Sequence, residues 1–144
     1  MVGSLNELRQ RAPREVDSAF KGWIADLPCI AHMIEHGRFL LGVQVCHCRI
    51  SDAEAGWRSV GMAEKPNDRL CTPLCLAHHQ GDRRVTRHTQ HKMNERLFWE
   101  VLGIDIFRLV GDLNFAFDHG RSGRPVIAIH AGQARRRRLG IADG

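Results

Sequence analysis

The residues able to do chemistry crowd into three short stretches: Cys46-His47-Cys48, Cys71 to His79, and Arg87-His88-Thr89-Gln90-His91. Cys75 and His78 stand three residues apart, so a tight turn or a first helical turn aims both at one metal ion. His79 then points elsewhere and is available for a second role. Cys29 and His32 repeat the same spacing upstream. Zinc takes four tetrahedral nitrogen or sulfur ligands, and two such pairs supply them from separate chain segments. The spacing therefore predicts a structural zinc held by Cys29, His32, Cys75 and His78. Two variants of the set stay open. Cys46 and Cys48 share a strand face and could replace Cys29 and His32; His36 could replace His32. A C-x-C on a strand otherwise reads as two small buried hydrophobes, and so does Cys71.

The remaining histidines fit hydrolysis of a phosphodiester. That reaction needs a base for the attacking water and a divalent ion to offset charge on the phosphate. Neutral histidine is a competent base near pH 7. His47, at a strand end, is the candidate base, and its second ring nitrogen needs a partner to fix the tautomer. Asn67 and Asp68 could orient it or reach the metal, although turn chemistry after Pro66 explains the same pair equally well. His79 and His91 are the candidate ligands of the catalytic ion, with His88 the nearest rival to His91.

The elements that must position these groups follow from pattern. Ser4 to Leu27 reads as helix, broken at Pro13, with Val16, Ala19, Phe20, Trp23 and Ile24 on one face over Glu15 to Asp26. Phe39 to Ile50 reads as extended, and Arg69 to Leu74 as a second strand. Between them, Ser51 to Arg69 is polar and reads largely as a long functional loop. A metal-bearing helix opens at His78, interrupted by Gly81 and Asp82. Asn94 caps a helix that runs to Leu102, with Leu97, Phe98 and Val101 inward and Gly103 as its stop. Asp105 to Phe117 forms another, with Phe107, Leu109, Val110, Leu113 and Phe117 inward. After His119 come a Gly/Arg/Ser/Pro linker, a short strand or ordered arm over Val126 to Ile129, and the run Arg135 to Arg138. The fold class is α+β: residues 1–27 an N-terminal helical region, 28–119 a zinc-stapled domain, 120–144 a basic arm.

The totals agree with this reading. A chain of 144 residues suits one domain with extensions. A net charge of +5 favours an anionic partner such as nucleic acid. Five cysteines beside nine histidines suit metal binding in a reducing, cytoplasmic setting better than disulfides. Met1 to Arg11 carries no apolar run resembling a signal peptide, and no stretch reaches the length of a membrane span. With no tyrosine and few other aromatics, a broad base-stacking platform is not expected.

Several runs together carry a resemblance. They are Val43 to Arg49, Gly61 to Arg69, Thr72 to His79, Gln90 to Trp99 and Gly103-Ile104-Asp105. In this order, across roughly residues 20 to 107, the chain resembles the HNH-type nucleases of phages and prophages. Among these it is similar to the recombination-enhancement nucleases that act with RecA filaments. The resemblance implies a small ββα-metal (His-Me finger-like) core with structural zinc and flanking helices. It implies DNA endonuclease activity with Mg2+ or Mn2+, a bacterial host cytoplasm, and a RecA-type recombinase filament as partner. By position it makes His47 the water-activating base, His79 and His91 the metal-binding histidines, and Cys29, His32, Cys75 and His78 the zinc ligands. Two departures stand out. His32 and His78 stand where relatives carry cysteine. Cys46 stands before the base where many relatives carry Asp or His, which leaves the ion a ligand short unless Asp68, Asp82, water or phosphate supplies one. Expected phosphate contacts are Arg49, Lys65, Arg69, Arg83, Arg84, Arg87, Arg121, Arg124 and Arg135, Arg136, Arg137 and Arg138. The competing functions are a non-catalytic zinc-stapled DNA-binding module and a recombinase-interaction module, in which His47 is only a packing residue.

Overall fold

The computed structural model describes residues 16–50 and 67–140. The expected helix over residues 4–12, most of the polar loop and Lys65 lie outside them. Helix α1 spans Ser18–Ala25; the Asp17 carboxylate caps it by accepting from the Phe20 amide. Phe20 and Ile24 face the core as expected, but Val16 is exposed and Ala19 faces solvent. Val16 precedes the first helical turn, so it never joins the apolar stripe.

Cys29 caps helix α2, Ile30–His36. Strands β1 (Gln44–His47) and β2 (Cys71–Leu74) form an antiparallel ribbon, with Gln44 opposite Leu74 and His47 opposite Cys71. The extended run is therefore much shorter than Phe39 to Ile50, and Phe39 and Leu41 are exposed. Helix α3, Leu76–His79, is a single turn, and a 3-10 turn follows at Gln90–Lys92. Asn94 caps α4 (Glu95–Leu102), and Asp105 caps α5 (Ile106–Asp118). Leu97, expected inward, is half exposed.

The tail departs most from the reading of the sequence. Instead of a short strand in a loose arm, Arg124–Arg138 is a continuous helix, α6, with Pro125 in its first turn. It packs on α2 and α5, burying Ile127, His130, Ala131 and Ala134. These four recur at helical spacing, and that periodicity outweighs the β-branched run at its start. Gly123 lies so close to α1 that a Cβ there would meet Trp23 and Leu27 at 2.7 and 2.8 Å.

The core joins Phe20, Ile24 and Ile30 to Leu74, Phe98, Trp99, Leu102, Leu109, Leu113 and Ile127. Among the described residues, the chain is thus a mixed α+β protein with one small two-stranded sheet. Among the described residues, no helix is long and apolar enough to cross a membrane.

Candidate metal centre and histidine pairs

Cys29 at the start of α2, Cys75 before α3 and His78 within α3 meet in one buried cluster. Their ligand atoms all lie within 4.8 Å of one another, so the group could hold a metal ion. The Nδ1 of His78 is 3.1 Å from the Cys75 sulfur and 3.9 Å from that of Cys29. Its Nε2 donates to Glu35 Oε1 at 2.5 Å. A ligating histidine whose far nitrogen is held by a carboxylate is a recurrent arrangement around metals, because it fixes tautomer and ring orientation. The thiols also differ. Hydrogen bonds from Cys29 and then His78 push Cys75 down to about 4, leaving a thiolate, while the same contact with Cys75, together with burial, raises Cys29. The thiolate is the metal-binding form.

His32, expected as fourth ligand, stands outside this cluster. Its ring centre lies 6.1 Å from that of His78 and 4.5 Å from that of His36. Its Nδ1 is nonetheless buried without a hydrogen-bond partner among the described residues. A buried imidazole nitrogen without a partner is a ligand-capable group, but the ligand atoms that meet within 4.8 Å are those of Cys29, Cys75 and His78 alone. His36, its rival, instead donates from Nε2 to the Val85 carbonyl. Cys46 and Cys48 are buried apart from the cluster, and burial raises both thiols, so they behave as small hydrophobes.

Glu35 was not singled out from the sequence, and it ties the centre to the rest of the molecule. It also accepts from Thr86 Oγ1 at 2.6 Å and from His88 Nδ1 at 2.7 Å. Burial by itself would raise this carboxyl; the bonds from His78, Thr86 and His88 outweigh that and hold it down to about 2. Replacing Glu35 by glutamine is expected to weaken metal affinity roughly 10- to 100-fold, read by competition with a chromogenic chelator. A folded carboxyl depressed from 4.5 to about 2 contributes stability that is full above pH 4.5 and lost as pH falls toward 2. The acid limb of the protein's stability should therefore flatten in Glu35→Gln; an unchanged limb and unchanged affinity would remove Glu35 from this role.

The second histidine set divides into two pairs. On β1, His47 Nε2 donates to Asp68 Oδ1 at 2.8 Å. Asp68 is fully buried; its Oδ2 accepts from the Asp17 amide at 2.9 Å and lies 3.6 Å from Lys21 Nζ. A carboxylate accepts, so Nε2 carries the ring proton and Nδ1 keeps its lone pair on a half-buried ring. Asp68 thus orients His47, one of the two options left open by the sequence.

His79 and His91 meet with ring centres 4.1 Å apart. His79 Nδ1 donates to Gln44 Oε1, leaving Nε2 as the ligand-capable nitrogen. Burial, and then the neighbouring His91, lower His79 to about 4, so the ring is neutral at ordinary pH, as a ligand must be. His88 is turned to Glu35 instead. The two pairs do not share a face. Gln44 and His47 are three positions apart on β1, so their side chains project to opposite sides, about 10 Å apart along the strand.

Several expected phosphate contacts are committed internally. Arg69 bonds Asp17, Asn114 and Asp118 and lies over the rings of Phe20 and Phe117. Arg84 pairs with Asp82. Arg135 donates to the Met33 and Ile34 carbonyls, and Arg137 to that of Gly103. Arg49, Arg83, Arg87, Arg121, Arg124, Arg136 and Arg138 are exposed. Comparison of the chain with family models, with curated proteins and with solved structures finds no match.

Proposed function

We propose that the protein is a metal-dependent endonuclease that hydrolyses DNA phosphodiester bonds, on a ββα-metal frame held by a structural zinc. The observation that carries this reading is the His47–Asp68 pair. A binding module has little use for a fully buried carboxylate aimed at the proton-bearing nitrogen of a solvent-reaching imidazole. A hydrolase uses that arrangement directly. His47 Nδ1 takes the proton of the attacking water, and Asp68 holds the ring in one tautomer and stabilises the imidazolium that forms. The Asp17 amide and Lys21 hold the second oxygen of Asp68 in place.

Two cysteine sulfurs, one already a thiolate, with an imidazole nitrogen suit zinc in the buried centre, and zinc binding would displace the Cys29 proton. His79 and His91 are the ligands for a second, divalent ion, Mg2+ or Mn2+, which when bound offsets charge on the phosphate. β1 pairs only with β2 among the described residues. A recombination role with a RecA-type filament rests on the sequence resemblance.

One observation favours the other reading, a non-catalytic zinc-stapled DNA-binding or recombinase-interaction module: the two histidine pairs lie on opposite faces of the ribbon. Incubating zinc-loaded protein with plasmid and Mg2+ or Mn2+, with and without RecA filaments, separates the two. Nicking or linearisation that His47→Ala abolishes supports the nuclease. DNA binding with no cutting under any of these conditions leaves the module.

A further inference from the structure

The loop between α3 and α4 carries a concentration of charge that neither the metal centre nor the histidine pairs use. A pocket of about 430 Å³ opens there, its lining including Gly81, Asp82, Arg83, Thr86, Arg87 and Lys92. A second groove of about 350 Å³ adjoins it, shares Arg83, Thr86 and Arg87, and continues to Arg138 at the end of α6. Both volumes fall at the lower end of the range, about 300–1,000 Å³, of small-ligand sites.

The acids that line these cavities are already neutralised. Asp82 accepts from Nε and Nη2 of Arg84, at 3.1 Å each, and Glu35 is occupied by His78, Thr86 and His88. Among the described residues, Arg83, Arg87 and Lys92 have no ion-pair partner. Three like charges around one pocket repel one another unless an anion joins them.

The loop is also built to hold its shape. Thr86 is tied to Glu35, the Thr86 hydroxyl accepts from the His88 amide, and His36 holds the Val85 carbonyl. At Gly81, φ is +121°, and a Cβ there would meet Lys92 Nζ at 3.0 Å and Cε at 3.1 Å. The positive φ favours glycine at this turn, and the lysine stem lies against it.

We propose that this loop is a phosphodiester track. Arg83, Arg87 and Lys92 hold consecutive phosphates of one nucleic-acid backbone, and Arg138 extends the line onto the last helix. Guanidinium forks match phosphate oxygens bidentately, which suits Arg83 and Arg87 at the junction of the two cavities. The identity of the polyanion as DNA rests on the nuclease reading; the extension over two adjoining cavities favours a backbone over a single free phosphate. Lys92 follows His91 directly, so a strand seated in the track passes the His79–His91 pair.

The test is DNA binding to the full chain, by fluorescence anisotropy of a short labelled duplex, across a salt series without added divalent ion. In Arg83→Gln/Arg87→Gln, affinity should fall about 10- to 100-fold and the log–log salt slope should flatten by about two, since each phosphate contact contributes about 0.9. Arg83→Lys/Arg87→Lys should keep most of the slope, which excludes simple misfolding. Arg38→Gln/Arg108→Gln removes the same charge from exposed residues that line neither cavity, and should change the slope much less. An equal loss in that control, or wild-type binding in Arg83→Gln/Arg87→Gln, would overturn the track. So would displacement of the duplex by inorganic phosphate at matched ionic strength, which would mark a single-anion site. If the wild type cuts DNA while Arg83→Gln/Arg87→Gln binds normally, the track fails and the nuclease stands. If the slope falls as expected but nothing is ever cut, the track stands and the nuclease fails.

Discussion

His47→Ala is expected to lower DNA cleavage by about two to four orders of magnitude, the usual size of a general-base contribution. Metal content, melting temperature and DNA affinity should stay near those of the wild type. The ring is half-buried and outside the core, and its removal leaves Asp68 with the Asp17 amide and Lys21. Asp68→Asn should be nearly as damaging, because an amide oxygen or nitrogen facing Nε2 no longer fixes which ring nitrogen is basic. His79→Ala should match the defect by a different route, the loss of the divalent ion, and excess Mn2+ should restore part of it. The His47→Ala/His79→Ala double variant should be little worse than either single one, since base and ion act in one step. Cleavage by His47→Ala at the wild-type rate would end the assignment. Loss of zinc and of the fold in that variant would move His47 into the structural frame instead.

Cys75→Ala is expected to abolish the cooperative fold. Cys75 joins the start of α3 to Cys29 at the start of α2, and α2 in turn supports α6. Structural zinc contributes apparent binding energies of about 10–16 kcal/mol in small zinc-dependent peptides. Whole domains are stable by only about 5–15 kcal/mol. Losing the centre therefore removes an amount comparable to the entire margin. Metal analysis of the wild type should find one tightly held zinc per chain. Cys75→Ala should be insoluble, or lose its thermal transition by circular dichroism, and chelation of the wild type should do the same. Cys46→Ala, in the core but away from the centre, should keep its zinc and lose only packing energy. Folded, soluble wild-type protein without zinc would refute the structural role.

What could be read from the sequence was what local chemistry controls. Asn94 caps a helix because a short polar side chain meets an amide two or three residues on, and that geometry is written within one turn. The Cys75–His78 pair is legible for the same reason, as is the burial of Cys71 and Cys46. The two strands and their order followed from apolar runs on either side of a polar loop. Spacing also brought Cys29 into the same centre as Cys75.

Partnerships across the chain were decided only in three dimensions. Glu35 meets His78 across 43 residues, and Asp68 meets His47 across 21. No spacing rule links such pairs, because their distance is set by how α2 and β2 pack, not by the chain between them. Charge was the least informative signal. Arg69, Arg83 and Arg135 look alike in sequence, yet Arg69 is bonded among three side chains, Arg135 closes the end of α2, and Arg83 lines an unneutralised pocket. The last helix shows why. Its four arginines and Pro125 suggest a solvated arm, but Ile127, Ala131 and Ala134 find a surface on α2 and α5. Most helical stability comes from burying such a face against a partner. The partner surface is made by the rest of the fold, so neither this helix nor the fate of its arginines can be read from the segment alone.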